Sequence, residues 1–165
     1  MSSTEAYYAQ HAQQFINDTL HVDMQSLYAP FLAALPVNAH ILDAGCGSGR
    51  DALAFQQLGY QISAFDASEP LAAHASQLLG VMVPVKRFAD MDEIERYDGI
   101  WACASLLHVP EHQLPDAFSR LWQALKPGGV LYCSFKHGQG ERSQGGRHFT
   151  DADEARIGGW TEALE

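Results

Sequence analysis

Residues 40–55 read "HILDAGCGSGRDALAF". The pattern changes halfway along. "HILDA" is a short apolar run, the mark of a buried strand. Gly45, Gly47 and Gly49 then fall at every second position, and "RDALAFQQLG" carries a helical pattern up to Gly59, a residue suited to a helix C-terminus. Glycine lets a backbone turn tightly and approach a ligand with no Cβ in the way. The helix starting near Arg50 aims free N–H groups into the same space. On spacing alone the loop suits more than one ligand. "GSGRDA" fits the dinucleotide pattern G-x-G-x-x-A, and "DAGCGSG" fits D-x-G-x-G-x-G.

Upstream, residues 5–18 predict a helix with Tyr8, His11, Ala12 and Phe15 on one stripe. "DMQSLYAPFLAAL" predicts a second, with Asp23 as N-cap and Pro30 as a kink or break. Downstream, "YQISAFD" is a strand and "EPLAAHASQLLG" a helix with Pro70 near its start and Gly80 at its end. "VMVPVKRF" reads as a third strand, put at an edge or made irregular by Pro84. "MDEIERY" is a short acidic turn or helix, "DGIWACA" a buried fourth strand, "PEHQLPDAFSRLWQALKPGG" holds a helix, and "VLYCSF" is the fifth strand. The Gly-rich, charged "KHGQGERSQGGRHFT" reads as a mobile loop, and "DADEARIGGWTEALE" as the start of a helix capped by Thr150 or Asp151.

Strands alternating with helices mean an α/β, doubly wound, Rossmann-like and mostly parallel sheet with helices on both faces. Its crossovers should be right-handed. Ligands bind such sheets outside the carboxyl ends of the strands. The whole chain forms one domain: an N-terminal helical segment over 1–36, a core over 40–135, and a loop plus the start of a last helix over 136–165.

Composition bounds the function. With 165 residues, 47% hydrophobic and 18% charged, the chain makes one globular domain. A formal net charge of -10 argues against sequence-independent nucleic-acid binding and against an anionic membrane surface. A small-molecule partner fits better. Cys46, Cys103 and Cys133 form no CxxC pair and no disulfide framework, which suits a reducing cytoplasm. "MSSTEAYYAQ" lacks the regions of a signal peptide, and no apolar run approaches the roughly 20 residues that span a bilayer.

The strand ends supply the candidate site. Asp66 follows the second strand, 19 residues beyond Gly47, where an acid reaches ribose hydroxyls. Asp90 and Met91 follow the third strand. One could accept from an adenine amino group and the other pack on its ring. His108 follows the fourth strand and should line a pocket. His108 and His112 are four apart, but Pro110 lies between them and no H-E-x-x-H is present, so no metal is expected.

Together, "ILDAGCGSGRDAL", Asp66, "ADM", "LLHV" and "LKPGG" resemble a class I S-adenosylmethionine-dependent methyltransferase over about residues 5–150. "GSGRDAL" followed by "GY" and "AFDAS" is similar to the bacterial subgroup holding small-molecule and tellurite-resistance-type enzymes. The resemblance implies a strand order 3-2-1-4-5 and S-adenosylmethionine as cofactor. It implies that Asp43 orders the loop, that Gly45, Cys46, Gly47 and Gly49 lie against the cofactor, and that Asp66 and Ala67 meet its ribose. Asp90 and Met91 would flank the adenine, and Cys103 and Ala104 would close the methionine end. Tyr7, Tyr8 and the N-terminal helix would form a lid.

His108 is the candidate general base, since an unperturbed pKa of about 6.5 suits neutral pH. Arg50, Lys136 and Arg147 are the candidate substrate residues, for a small anionic or polar acceptor. The family's C-terminal antiparallel hairpin is missing from the pattern. "VLYCSF" should then be an open apolar edge on which a homodimer could form. Two rivals stay open: a nicotinamide-dependent oxidoreductase, and a non-catalytic protein that binds S-adenosylmethionine.

Overall fold

A computed structural model describes residues 2–164. Ser2 and Glu5 form a reciprocal capping box that starts helix α1, Ser3–Thr19. Its axis breaks at His11, where the backbone leaves helical angles. Helix α2, Gln25–Ala33, begins at an N-cap Met24, with the Asp23 carboxylate accepting from the Gln25 N–H at 3.0 Å. Pro30 sits inside α2 without ending it.

The chain then alternates as the sequence requires. Strand β1 (His40–Ala44), α3 (Arg50–Gln57), β2 (Gln61–Phe65), α4 (Glu69–Leu79), β3 (Tyr97–Ala102), α5 (Leu114–Ala124) and β4 (Leu125–Cys133) follow in order. The four strands pair in parallel in the order β2-β1-β3-β4. Ile41, Leu42, Ala44, Ile100, Trp101 and Ala102 fill the sheet centre and are almost wholly buried. Both faces of β1 and β3 are covered, which is why these strands read as continuous apolar runs. On one face Tyr28 and Phe31 of α2 pack with Phe55 against Trp101. On the other, Leu114, Phe118 and Leu121 of α5 pack against Ile100 and Ala102.

Three expectations are corrected. "VMVPVKRF" does not form a strand: it touches the sheet through one parallel bridge, Asp66 with Val85. The Asp66 N–H donates to the Pro84 carbonyl at 3.3 Å and the Lys86 N–H to the Asp66 carbonyl at 2.9 Å. The ladder stops on one side because Pro84 has no N–H to offer β2. It stops on the other because the Ser68 N–H is taken by the Asp66 carboxylate at 2.9 Å. The expected order 3-2-1-4-5 is therefore realised as four strands.

Second, residues 136–150 are not a mere loop. They hold an antiparallel hairpin, β5 (Glu141–Gln144) and β6 (Arg147–Thr150), turned by Gly145 and Gly146 at φ 58° and 85°. Two successive positive φ values make the primed turn whose twist suits a hairpin. Third, the last helix, α6 (Glu154–Thr161), is capped by Asp153, whose carboxylate accepts from the Arg156 N–H at 2.9 Å. Thr150 instead donates its hydroxyl to the Val109 carbonyl, and Asp151 pairs with Arg142. Among the described residues no antiparallel strand joins the four-stranded sheet, and β4 has a neighbour on one side only. No helix among them is long and apolar enough to cross a membrane.

Candidate active site

A cavity of about 840 Å³ opens at the carboxyl ends of the strands, within the range of small-ligand sites. Its floor is the glycine loop. Gly45 stands at φ 75°, and a Cβ there would lie 2.5 Å from the Ser105 Cβ. The loop after β3 can thus close on the glycine turn, and the Ser105 hydroxyl donates to the Ala44 carbonyl at 2.8 Å. At Gly47, φ 56°, a Cβ would meet the Phe15 ring at 2.9 Å. The close approach here comes from α1, which lies over the loop through Tyr8, Phe15 and Thr19.

Asp66 joins the two turns that face the cavity. One carboxylate oxygen accepts from the Gly47 N–H at 2.8 Å and the other from the Ser68 N–H at 2.9 Å. Burial pushes its pKa up, and the two backbone bonds pull the other way. Ser68, only 4% exposed, lines the same cavity, and its hydroxyl has no hydrogen-bond partner among the described residues. A buried orphan hydroxyl beside a buried carboxylate, above a glycine turn, is a set of groups shaped for a polar ligand. It fits a nucleoside that offers vicinal hydroxyls.

Asp43 lies beneath the floor, 2% exposed, accepting from the Ala52 N–H at 3.2 Å. It ties the strand end to the first turn of α3. Burial, then the charge of Asp51, pushes its pKa well up. Gly49 packs on Leu78 and Ala75 of α4 instead of facing the cavity. Cys46, Ala67, Cys103 and Ala104 line the cavity. Ala104 is held at φ 51°, a conformation that costs a non-glycine residue roughly 1 kcal/mol. Its N–H donates to the Ser134 hydroxyl at 2.7 Å.

Asp90 and Met91 do not reach the cavity. The Asp90 carboxylate turns back to accept from the Arg87 N–H at 3.0 Å, closing the 3₁₀ turn Phe88–Asp90. Met91 is 1% exposed in the core. Phe88 and Ala89, in the same 3₁₀ turn, line the cavity in their place. Arg50 lines the cavity, but its guanidinium is committed to Asp51 at 2.8 Å and to the Thr19 carbonyl at 3.3 Å. Asp51 also accepts from the Trp101 indole at 2.8 Å and from the Tyr28 hydroxyl.

The roof is a chain of hydrogen bonds between α1, the 3₁₀ turn Leu106–His108 and β6. Arg147 Nη1 donates to the Tyr8 hydroxyl at 3.3 Å. The His108 Nδ1–H donates to the His148 carbonyl at 2.8 Å, a contact that fixes the tautomer and leaves Nε2 to accept from the Tyr8 O–H at 2.9 Å. Burial is the main cause that pushes the His108 pKa down to about 4. Burial likewise raises that of Tyr8. The pair is neutral at pH 7. The His148 N–H donates to the Thr4 hydroxyl at 2.9 Å, and the Arg147 guanidinium lies 4.6 Å from the Tyr7 ring centre. Lys136 also lines this end.

Residues 41–129 match the family model described as "Methyltransferase domain". The chain belongs to this family. Curated relatives include the trans-aconitate 2-methyltransferase of Rhizobium leguminosarum bv. trifolii (strain WSM2304), 30% identical over 139 residues, 81% of this chain and 52% of that protein. Another is the ubiquinone biosynthesis O-methyltransferase of Xanthomonas axonopodis pv. citri (strain 306), 34% identical over 107 residues, 60% of this chain and 44% of that one. This chain spans about half or less of the length of the curated relatives it matches.

Among solved structures, magnesium protoporphyrin IX methyltransferase from Synechocystis PCC 6803, with bound S-adenosylmethionine, superposes with a TM-score of 0.72 at 18% identity, covering 96% of this chain and 82% of that one. The 1,6-didemethyltoxoflavin-N1-methyltransferase of Burkholderia thailandensis does so with a TM-score of 0.65 at 23% identity, covering 99% and 79%. At these identities the likeness establishes the fold: the methyltransferase domain is Rossmann-like.

The sequence did not single out Ser68, Ser105, Phe88, Ser134 or Phe149 as parts of the site. Ser68 and Ser105 directly follow strand-end motifs and were within reach of the same rule. Phe149 was not, because it enters on a hairpin that read as a loop.

Proposed function

We propose that this methyltransferase domain transfers the methyl group of S-adenosylmethionine to a small-molecule acceptor. The observation that carries the reading is Asp66, a buried carboxylate bonded to the glycine loop, with the orphan Ser68 hydroxyl beside it in the same cavity. Asp66 and Ser68 would hold the ribose, Phe65 and Phe88 would offer aromatic surface, and the loop from Gly45 to Gly47 would receive the methionine end. S-adenosylmethionine, when bound, supplies a methyl group made electrophilic by its sulfonium.

The chain's own residues supply position and dryness. Helix α1 contributes Thr4, Tyr8, Phe15 and Thr19 to the cavity wall, where it would shield the bound reactants from water. His108, neutral and already accepting the Tyr8 proton, is a weak base at pH 7. It serves to shape the pocket and hold Tyr8, so the acceptor atom should arrive without a proton to remove. The unperturbed value that first suggested a base does not survive burial.

A small acceptor akin to those of the bacterial tellurite-resistance-type subgroup is supported by the likeness of "GSGRDAL" followed by "GY" and "AFDAS". The three cysteines, free in the structure, support a reducing, cytoplasmic setting. The open side of β4 supports a homodimer.

Calorimetric titration with S-adenosylhomocysteine and with NADH tests the main reading. Binding of the first alone, followed by methyl transfer to some member of an acceptor panel, is expected. Binding of NADH alone would refute it. Tight S-adenosylhomocysteine binding with no transfer over a broad panel would favour a non-catalytic binding protein.

A further inference from the structure

Five cations line the cavity: Arg50, Lys86, Arg87, Lys136 and Arg147. Three are neutralised, Arg50 by Asp51 at 2.8 Å, Lys86 by Glu93 at 2.9 Å and Arg87 by Glu5 at 2.5 Å. Lys136 and Arg147 have no carboxylate within 4 Å among the described residues, although acids outnumber bases 20 to 10 over the chain. The carboxylates that line the cavity are all engaged: Glu5 with Arg87, Asp51 with Arg50, Asp116 with Arg120, and Asp66 with two backbone N–H groups. The carboxylate outside the wall that feels Lys136, Asp151, is paired with Arg142.

Both stand beside the buried Phe149 ring, Lys136 Nζ 4.5 Å and the Arg147 guanidinium 5.2 Å from its centre, with a third cation, Arg142, at 4.6 Å but paired with Asp151. Both also act on the nearby His108 as positive charges. Arg147 is stacked on Tyr7 by one face, and of its N–H groups one bonds to Tyr8 at 3.3 Å while the buried Nε has no partner. Guanidinium N–H groups form a planar fork matched to oxyanions. A buried donor left unpaired is unfavourable until something accepts from it. A stacking role alone accounts for the ring contacts. It does not account for the orphan donor or for two unneutralised charges at one end of the cavity.

From this we infer that the acceptor carries an oxyanion, a carboxylate or a phosphate monoester, which docks on Arg147 and Lys136 over Phe149. The inference rests on the methyl-transfer reading and adds the acceptor's class to it. It also agrees with the neutral Tyr8–His108 pair, since an anion brings a binding handle and needs no base to create its charge.

The test uses protein saturated with S-adenosylhomocysteine. Benzoate, succinate, citrate and glycerol phosphate are titrated by calorimetry, each beside a neutral amide or alcohol isostere, against wild type, Arg147→Gln, Lys136→Gln and Arg147→Lys. At least one anion should bind, its isostere should not, and each Gln variant should weaken binding about tenfold to a hundredfold, with Arg147→Lys between. Which anion binds tells carboxylate from phosphate. S-adenosylhomocysteine affinity should change less than threefold in every variant, which also reports on folding.

If S-adenosylhomocysteine binds but no anion does, or if the Gln variants bind the anion as wild type does, the inference falls alone. If the Gln variants lose S-adenosylhomocysteine while still melting cooperatively, the cations hold the cofactor's own carboxylate and the inference falls. If wild type does not bind S-adenosylhomocysteine, the methyl-transfer reading falls and takes the inference with it.

Discussion

Replacing Asp66 by alanine should separate ligand binding from folding. In the fold its carboxylate accepts the Gly47 and Ser68 N–H groups at 2.8 and 2.9 Å. Bonds to a charged acceptor contribute about 1.5–3 kcal/mol each. Burial opposes the charge, however, and wins, because the pKa lies above its ordinary value. A carboxyl whose folded pKa is raised costs stability as the pH rises from its ordinary value through the folded one. Asp66→Ala leaves the Gly47 and Ser68 N–H groups without their acceptor but also removes the burial cost of the charge, so stability should fall by about 1–2 kcal/mol, roughly 2–8 °C in Tm.

The ligand loses more. Two hydroxyl bonds to a charged acceptor, at the lower figure, sum to about 3 kcal/mol, on the order of a hundredfold in Kd. Calorimetry with S-adenosylhomocysteine gives the affinity, and ligand-free thermal unfolding gives the stability. Asp66→Asn should fall between, since its amide keeps one acceptor and turns an NH2 toward a backbone N–H. A folded Asp66→Ala that binds within threefold of wild type would refute the assignment of the ribose site.

His108, buried and neutral, should lose its partners' stabilisation on acidification. Its folded pKa of about 4 lies below the usual 6.5, so stability falls as the pH drops from 6.5 toward 4, by up to roughly 3 kcal/mol. Difference melts of wild type and His108→Gln over that window should show the loss in wild type alone, and turnover between pH 6 and 8 should show no step from this residue. Asp51→Ala should cost about 3–5 kcal/mol, on the order of 10 °C in Tm, because it strands Arg50, the Trp101 indole and the Tyr28 hydroxyl. An unchanged melt would remove that cluster from the account. Gly47→Ala should lower Tm and weaken S-adenosylhomocysteine binding, since its Cβ meets Phe15 at 2.9 Å. Adding Phe15→Ala should restore part of the stability, and strict additivity of the two changes would argue against the contact. Sedimentation over two decades of concentration checks the β4 edge, and a fixed monomer mass would remove the homodimer.

The strand–glycine–helix unit was legible in residues 40–55 because its signals are local. An apolar run, φ-permissive glycines and a helical period need no distant partner to be read. The same holds for Asp66, which the strand-end rule placed in the cavity from its position alone. Residues 81–88 show the limit. Their apolar, β-branched composition says strand, but whether a ladder continues depends on donors meeting acceptors in the neighbouring strand, and Pro84 and Ser68 decide that together.

Asp90 and Met91 lie off the cavity wall for a related reason: a 3₁₀ turn rotates side chains by an amount that composition does not encode, and it presents Phe88 to the cavity. The hairpin at 141–150 reads as a loop in the sequence because its strands are short and polar. Its role emerges only where β6 packs on α1 and on the turn after β3.

The sequence by itself determined the order of elements, the glycine floor and the charge balance. The first two follow from residues within a few positions of one another, and the third from composition. Only the tertiary structure decided that Arg50 is spent on Asp51 while Lys136 and Arg147 are not, and that burial turns His108 from a neutral-pH base into a neutral spacer. Pairing and desolvation depend on what long-range packing brings within a few ångströms, and residues 8, 108 and 147 are neighbours only after folding.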